Sequence, residues 1–182
     1  NLVPYHARQL ATSTILKNDL SIYQGTFKIY RIGDTLTDTL KIPKCYEERI
    51  TAVEKYCTKP ELEMLLIISE GLEKEFNKVK STTSPKNFSK THIKLNGKKY
   101  NNSTNFYKDY YEDNVESLVS AIKSYKQTHG AHKKDELYLA DLLKWYSTIS
   151  KPFIFIFMNY ISKTFSLNLQ FSEICVIVYL SR

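Results

Sequence analysis

Apolar and polar residues alternate from Thr26 to Ile32, most plainly in Phe27 and Ile29 set against Thr26 and Lys28. A period of two predicts a strand. Gly33 and Asp34 end it, and a polar loop through Thr35, Thr37, Asp38 and Thr39 follows. Pro43 then suits the first turn of a helix over 44–57, where Cys45, Ile50, Val53 and Cys57 can share a face. Thr58 and Pro60 give a second start signal, and Glu61 and Glu63 favour the positive end of a helix dipole. Leu62, Leu65, Leu66 and Ile68 form the apolar side of this segment. A buried helix to Ser69 and a strand are both compatible with so apolar a run, and the capping residues favour the helix.

The pattern stays helical further along. Leu72 to Val79 adds an amphipathic turn or two, and Ser84-Pro85 starts a helix reaching about Lys94. Asn96-Gly97 is a turn. Phe106, Tyr107, Tyr110 and Tyr111 fall at helical spacing. Val115, Leu118, Val119, Ile122 and Tyr125 mark the clearest amphipathic helix, and Leu139, Leu142 and Leu143 point inward from one over 136–146. A shorter helix is expected over 7–20. Residues 153–157 and 174–180 read as strands. The expected architecture is α/β, a small sheet flanked by several helices, in a domain over 1–147. Residues 148–182 form an apolar tail of different composition, either a strand hairpin completing the sheet or a non-native extension.

Composition narrows the classes. At 182 residues, with 42% hydrophobic and 25% charged positions, the chain is globular and large enough for its own core. The net charge of +7 points to polyanionic partners, nucleic acid first. From Lys74 to Lys134 there are 13 lysines, no arginine and 5 acidic residues, so this stretch carries the whole excess. Lys98, Lys99, Lys133 and Lys134 are the expected contacts, with Tyr100, Phe106, Tyr107, Tyr110 and Tyr111 available to stack on bases. Lysine without arginine suits diffuse phosphate attraction better than bidentate base reading. The competing reading is a solvated lysine-rich surface over a core of packed aromatics.

Cys45, Cys57 and Cys175 are odd in number and widely spaced, which fits thiols of a reducing, cytoplasmic compartment and no disulfide framework. His6, His92, His129 and His132 form no ligand set. The longest apolar stretch, 152–161, is shorter than the ~20 residues a membrane span needs, so no membrane partner is expected. Nucleophile elbows, phosphate-binding glycine loops and cofactor fingerprints are missing.

The order of five segments resembles an uncharacterised bacterial family related to TOPRIM and RloB-like proteins. They are Ile29-Tyr30-Arg31-Ile32-Gly33-Asp34, residues 59–71 through Glu70-Gly71, Ser84-Pro85-Lys86-Asn87-Phe88, Ala121 to Lys126, and His132 to Leu143. The resemblance spans roughly residues 26–144. It implies a TOPRIM-like domain in which carboxylates gather Mg²⁺ for phosphodiester chemistry on nucleic acid, in a setting of phage defence or mobile elements. By position Asp34 takes the aspartate role, Asp38 is the second candidate, and Glu61 and Glu63 are further possible ligands.

Two departures stand out. The family's opening strand-Glu-Gly segment has no counterpart before Thr26, so the domain is expected to be N-terminally incomplete. Asp34 and Asp38 are four apart where the family's pair is two apart. Three expectations therefore stand together: a Mg²⁺-dependent enzyme, a non-catalytic basic binding module, and an inactive truncated gene product.

Overall fold

A computed structural model describes residues 2–6, 10, 14–33, 39–58, 61–128, 136–143 and 175–180. It is an α/β structure with a small sheet and several helices. The chain divides into two compact units, one of Asn1–Thr58, His132–Leu137 and Gln170–Arg182, the other of Lys59–Ala131 and Tyr138–Leu169.

The first unit is built on a four-stranded sheet. Its strands are β1 (Leu2–His6), β2 (Phe27–Gly33), β3 (Ile50–Cys57) and β6 (Cys175–Leu180), in the order β1-β6-β2-β3. β6 is antiparallel to both neighbours, whereas β2 and β3 run parallel, from Phe27 opposite Ile50 to Gly33 opposite Cys57. The alternation over 26–32 predicts a half-wet strand. Instead, Phe27, Ile29, Tyr30, Arg31 and Ile32 are all buried, as for a central strand covered on both faces.

The segment 44–57 departs from its expected single helix. Only Lys44–Glu47 is helical (α2), and Ile50–Cys57 is β3. Ile50, Thr51 and Val53 are β-branched and stiff, and pairing with β2 satisfies their backbone, so the long-range partner outweighs the helical spacing of the apolar residues.

α1 (Thr14–Ile22) lies against this sheet through Leu20, which packs with Leu10, Phe27, Ile29, Leu40 and Tyr46. Arg49 fastens its end. The guanidinium donates to the carbonyls of Leu20 (3.1 Å), Gly25 (3.2 Å) and Tyr23, and lies over the Tyr23 and Phe27 rings. A cation on the last carbonyls of a helix both satisfies them and opposes the dipole. Leu137 bridges to β3, donating to Lys55 O (2.7 Å) and accepting from the Cys57 amide (3.2 Å).

The second unit is helical and centred on α3 (Glu61–Ser69). Leu62, Met64, Leu65, Leu66 and Ile67 are all buried, so the apolar run is a core helix wrapped on nearly every side. It packs on α4 (Glu73–Val79), α5 (Pro85–His92) and α7 (Val115–Thr128). Gly71 ends it at φ +69°, with Gly71 N–H on Ile68 O and Leu72 N–H on Ile67 O, both 2.9 Å. That bond pair is a Schellman closure, and it needs the left-handed residue that glycine supplies without strain.

α6 (Thr104–Tyr111) and α8 (Leu139–Leu142) pack on α7. An ion pair from Lys126 to Asp141 ties α8 down. Only 139–142 of the helix expected over 136–146 is α-helical among the described residues, and the strand expected at 153–157 lies outside them. No helix among the described residues is long and apolar enough to cross a membrane.

Candidate nucleic-acid interface

α5 starts where Ser84 Oγ accepts from the Asn87 amide (3.3 Å) and Pro85 fills the first helical position. It was expected to reach about Lys94, but it stops at His92, because Ile93 turns extended to begin a hairpin. β4 (Lys94–Leu95) and β5 (Lys98–Lys99) join through Asn96 (φ 50°) and Gly97 (φ 78°). Two successive positive φ values are what a tight type I′ hairpin requires.

The pleat sorts the side chains. Ile93 and Tyr100 face each other and are buried, with Tyr100 N–H on Ile93 O at 3.0 Å. One residue along each strand, the side chains must point the opposite way. Those residues are Lys94 and Lys99, directly paired and both exposed. Their Cβ atoms are therefore about 5 Å apart, a like-charge pairing that destabilises a hairpin left to itself. Lys98 is exposed opposite Leu95. Lys90, also exposed, sits on the last turn of α5. Among the described residues no carboxylate pairs with Lys90, Lys94, Lys98 or Lys99. Between Glu75 and Asp109 the chain holds eight lysines and no acidic residue. Lys133 and Lys134 lie outside the described residues.

The expected stacking rings tell a different story. Tyr100, Phe106, Tyr107 and Tyr111 are buried, Tyr107 and Tyr111 completely. Tyr100 Oη donates to Asn102 Oδ1 (2.8 Å) and shares a hydrogen bond with Tyr107 Oη (2.8 Å). Tyr111 Oη meets Ser69 Oγ at 3.0 Å, and the half-buried Tyr110 donates to Glu70 Oε1 at 2.6 Å. Burial pushes all four phenols well above their ordinary range, reinforced by Glu63 at Tyr100 and Tyr107 and by Glu70 at Tyr110 and Tyr111. They stay protonated donors at neutral pH and cement α3 and α6 together. Rings buried in this way have no face to offer a base, so the stacking expected of Tyr100, Phe106, Tyr107 and Tyr111 is overturned.

Of the four acidic positions, only Glu63 has a described side chain. Asp34 and Asp38 lie outside the described residues. Glu61 opens α3, and its side chain is likewise outside the description. Glu63 is half-buried, and its charge beside Tyr100 and Tyr107 helps keep both phenols protonated. Among the described residues no three His, Cys, Asp or Glu side chains cluster as metal ligands.

No family model matches the chain. No curated protein and no solved structure matches it either. The lysine surface thus stands on its own geometry. Lys98 and Lys99 were accessible to sequence reading through their charge. Lys90 and Lys94 were missed as contacts, although the acid-free interval between Glu75 and Asp109 was a signal available in the sequence.

Proposed function

We propose that this protein binds nucleic acid through the lysine surface formed by α5 and the β4–β5 hairpin, attracting phosphates without reading bases. The observation that carries this reading is the exposed Lys94–Lys99 cross-strand pair, held together with no carboxylate partner among the described residues. Two like charges in register raise the free energy of the bare hairpin, and a phosphate lying across them relieves it. Lys90, exposed on the last turn of α5, extends the basic surface.

Fluorescence anisotropy with labelled DNA across a salt series tests the reading. Binding is expected to weaken steeply with salt. The double variant Lys94→Glu, Lys99→Glu should bind more weakly, with a log–log salt slope shallower by about two, roughly one per lost phosphate contact. An unchanged slope in that variant would reject the hairpin as the contact surface.

A second reading is Mg²⁺-dependent phosphodiester chemistry of the TOPRIM type. It is favoured by β2 and β3 running parallel as neighbours, so that their carboxyl ends share one edge of the sheet, with Asp34 following β2 directly. That edge is where open α/β sheets hold ligands. Asp34 and Asp38 supply the hard oxygen donors Mg²⁺ takes, and the ion would stabilise charge on a phosphodiester. Calorimetric titration of Mg²⁺ checks this. Saturable binding that vanishes in Asp34→Ala supports the reading, and equal binding in both proteins removes Asp34 from it.

A further inference from the structure

We infer that the nucleic acid gripped by this surface is a duplex, held by its two phosphate rails and not by its bases. The inference rests on the lysine surface proposed above and goes further by choosing the ligand's form. Proteins that hold single strands combine a basic groove with exposed rings on which successive bases stack, or with arginine planes that do the same. Among the described residues of the acid-free interval no phenylalanine or tyrosine ring is exposed, and the interval holds no arginine. The acid-free interval from residue 76 to 108 contains Phe76, Phe88, Tyr100, Phe106 and Tyr107, and each of these rings is buried. Phe88 is covered further by His92, stacked on it at 4.0 Å. Tyr100 and Tyr107 also spend their hydroxyls on each other and on Asn102. Arginine is absent from every residue between Arg49 and Arg182, which spans the whole helical unit.

What remains outside is ammonium groups, compact point charges that answer to phosphate density and are indifferent to the identity of a base. Duplex DNA presents one negative charge per about 1.7 Å of axis and releases more counterion per contact than a single strand does. With three lysines engaged (Lys90, Lys94 and Lys99), the expected salt slope is about −2.7 on duplex and about −2.1 on single strand. Strands of equal intrinsic affinity at about 1 M salt then separate by roughly sixfold at about 50 mM, in favour of the duplex.

The experiment compares the full chain on a duplex DNA oligonucleotide, on each of its single strands, and on a duplex RNA of the same length, by anisotropy over the same salt series. Two duplexes of unrelated sequence are included. Duplex binding about sixfold tighter than single-strand binding at low salt, with the steeper slope and equal affinity for the two sequences, bears the inference out, and the RNA arm reports whether either duplex form suffices. Single strands binding as tightly as the duplex, or a several-fold difference between the two sequences, overturns the inference while leaving polyanion binding intact. Binding to no arm overturns both the inference and the reading it rests on.

Discussion

Ser89 is the one described hydroxyl whose environment makes a sharp stability prediction. It lies mid-way along α5, is fully buried, and its Oγ has no hydrogen-bond partner among the described residues. Thr91 on the same helix shows the usual remedy, with Oγ1 donating back to Phe88 O at 2.9 Å. An unsatisfied buried hydroxyl costs about 1–3 kcal/mol in lost hydration. Alanine also favours a helix interior over serine by a few tenths of a kcal/mol, roughly. Against these gains stands the small void left by one oxygen, whose lost contacts amount to about 0.1–0.2 kcal/mol for each atom pair. Ser89→Ala is therefore expected to stabilise the protein by about 1–2 kcal/mol. Urea unfolding followed by circular dichroism reads this as a higher midpoint at constant m-value. A variant less stable than the parent by 1 kcal/mol or more, ~1.4 kcal/mol being tenfold in the equilibrium, would mean the hydroxyl is satisfied by a bound water, and the reasoning fails.

Three further outcomes are expected. Gly71→Ala should destabilise the helical unit by about 1 kcal/mol through backbone strain alone, since a Cβ at Gly71 meets nothing within 4 Å; a neutral melting temperature would contradict the Schellman closure. Arg49→Ala should lower stability by about 2 kcal/mol or more, because three carbonyls lose a charged donor, and hydrogen exchange should rise at the end of α1 before it rises in α7. The phenols of Tyr100, Tyr107 and Tyr111 hold their protons more tightly folded than unfolded. Their contribution is thus complete below the ordinary phenol range and drains away as pH rises past about 10, by about 1.4 kcal/mol per pH unit for each phenol. Alkaline unfolding titrations measure that slope, and early phenolate absorbance from all 14 tyrosines in the folded protein would refute it.

The sequence was most legible where the signals are local. The caps at Ser84-Pro85, the turn at Asn96-Gly97 and the spacing of Val115, Leu118, Ile122 and Tyr125 each act within a few residues, and each is found where it was expected. β3 was mistaken for helix because its partner β2 is held apart in sequence, and no local pattern announces the pairing. β1 is hidden for the same reason, since its partner among the described residues is β6, far along the chain. Helical spacing of Phe106, Tyr107, Tyr110 and Tyr111 correctly placed them on one helix, yet spacing cannot say whether such a face meets solvent or core. Exposed Lys98 and Lys99 were accessible through charge, which almost never buries unpaired. At Lys94 the helical signal that runs on from Ser84-Pro85 masks the pleat that sets this residue opposite Lys99.

The place of β6 between β1 and β2 has a consequence for biogenesis. Some 140 residues separate the end of β2 from the start of β6. At about 5–20 residues per second, a ribosome needs roughly 7–30 s to deliver the missing strand. Throughout that interval the nascent chain carries an apolar strand whose backbone is open along one side, a ready template for pairing with a neighbouring polypeptide. The helices α3 to α7 emerge during the wait and can pack on one another within it. Chaperone engagement of the nascent chain should accordingly concentrate on β2 and end when residues 175–180 leave the exit tunnel.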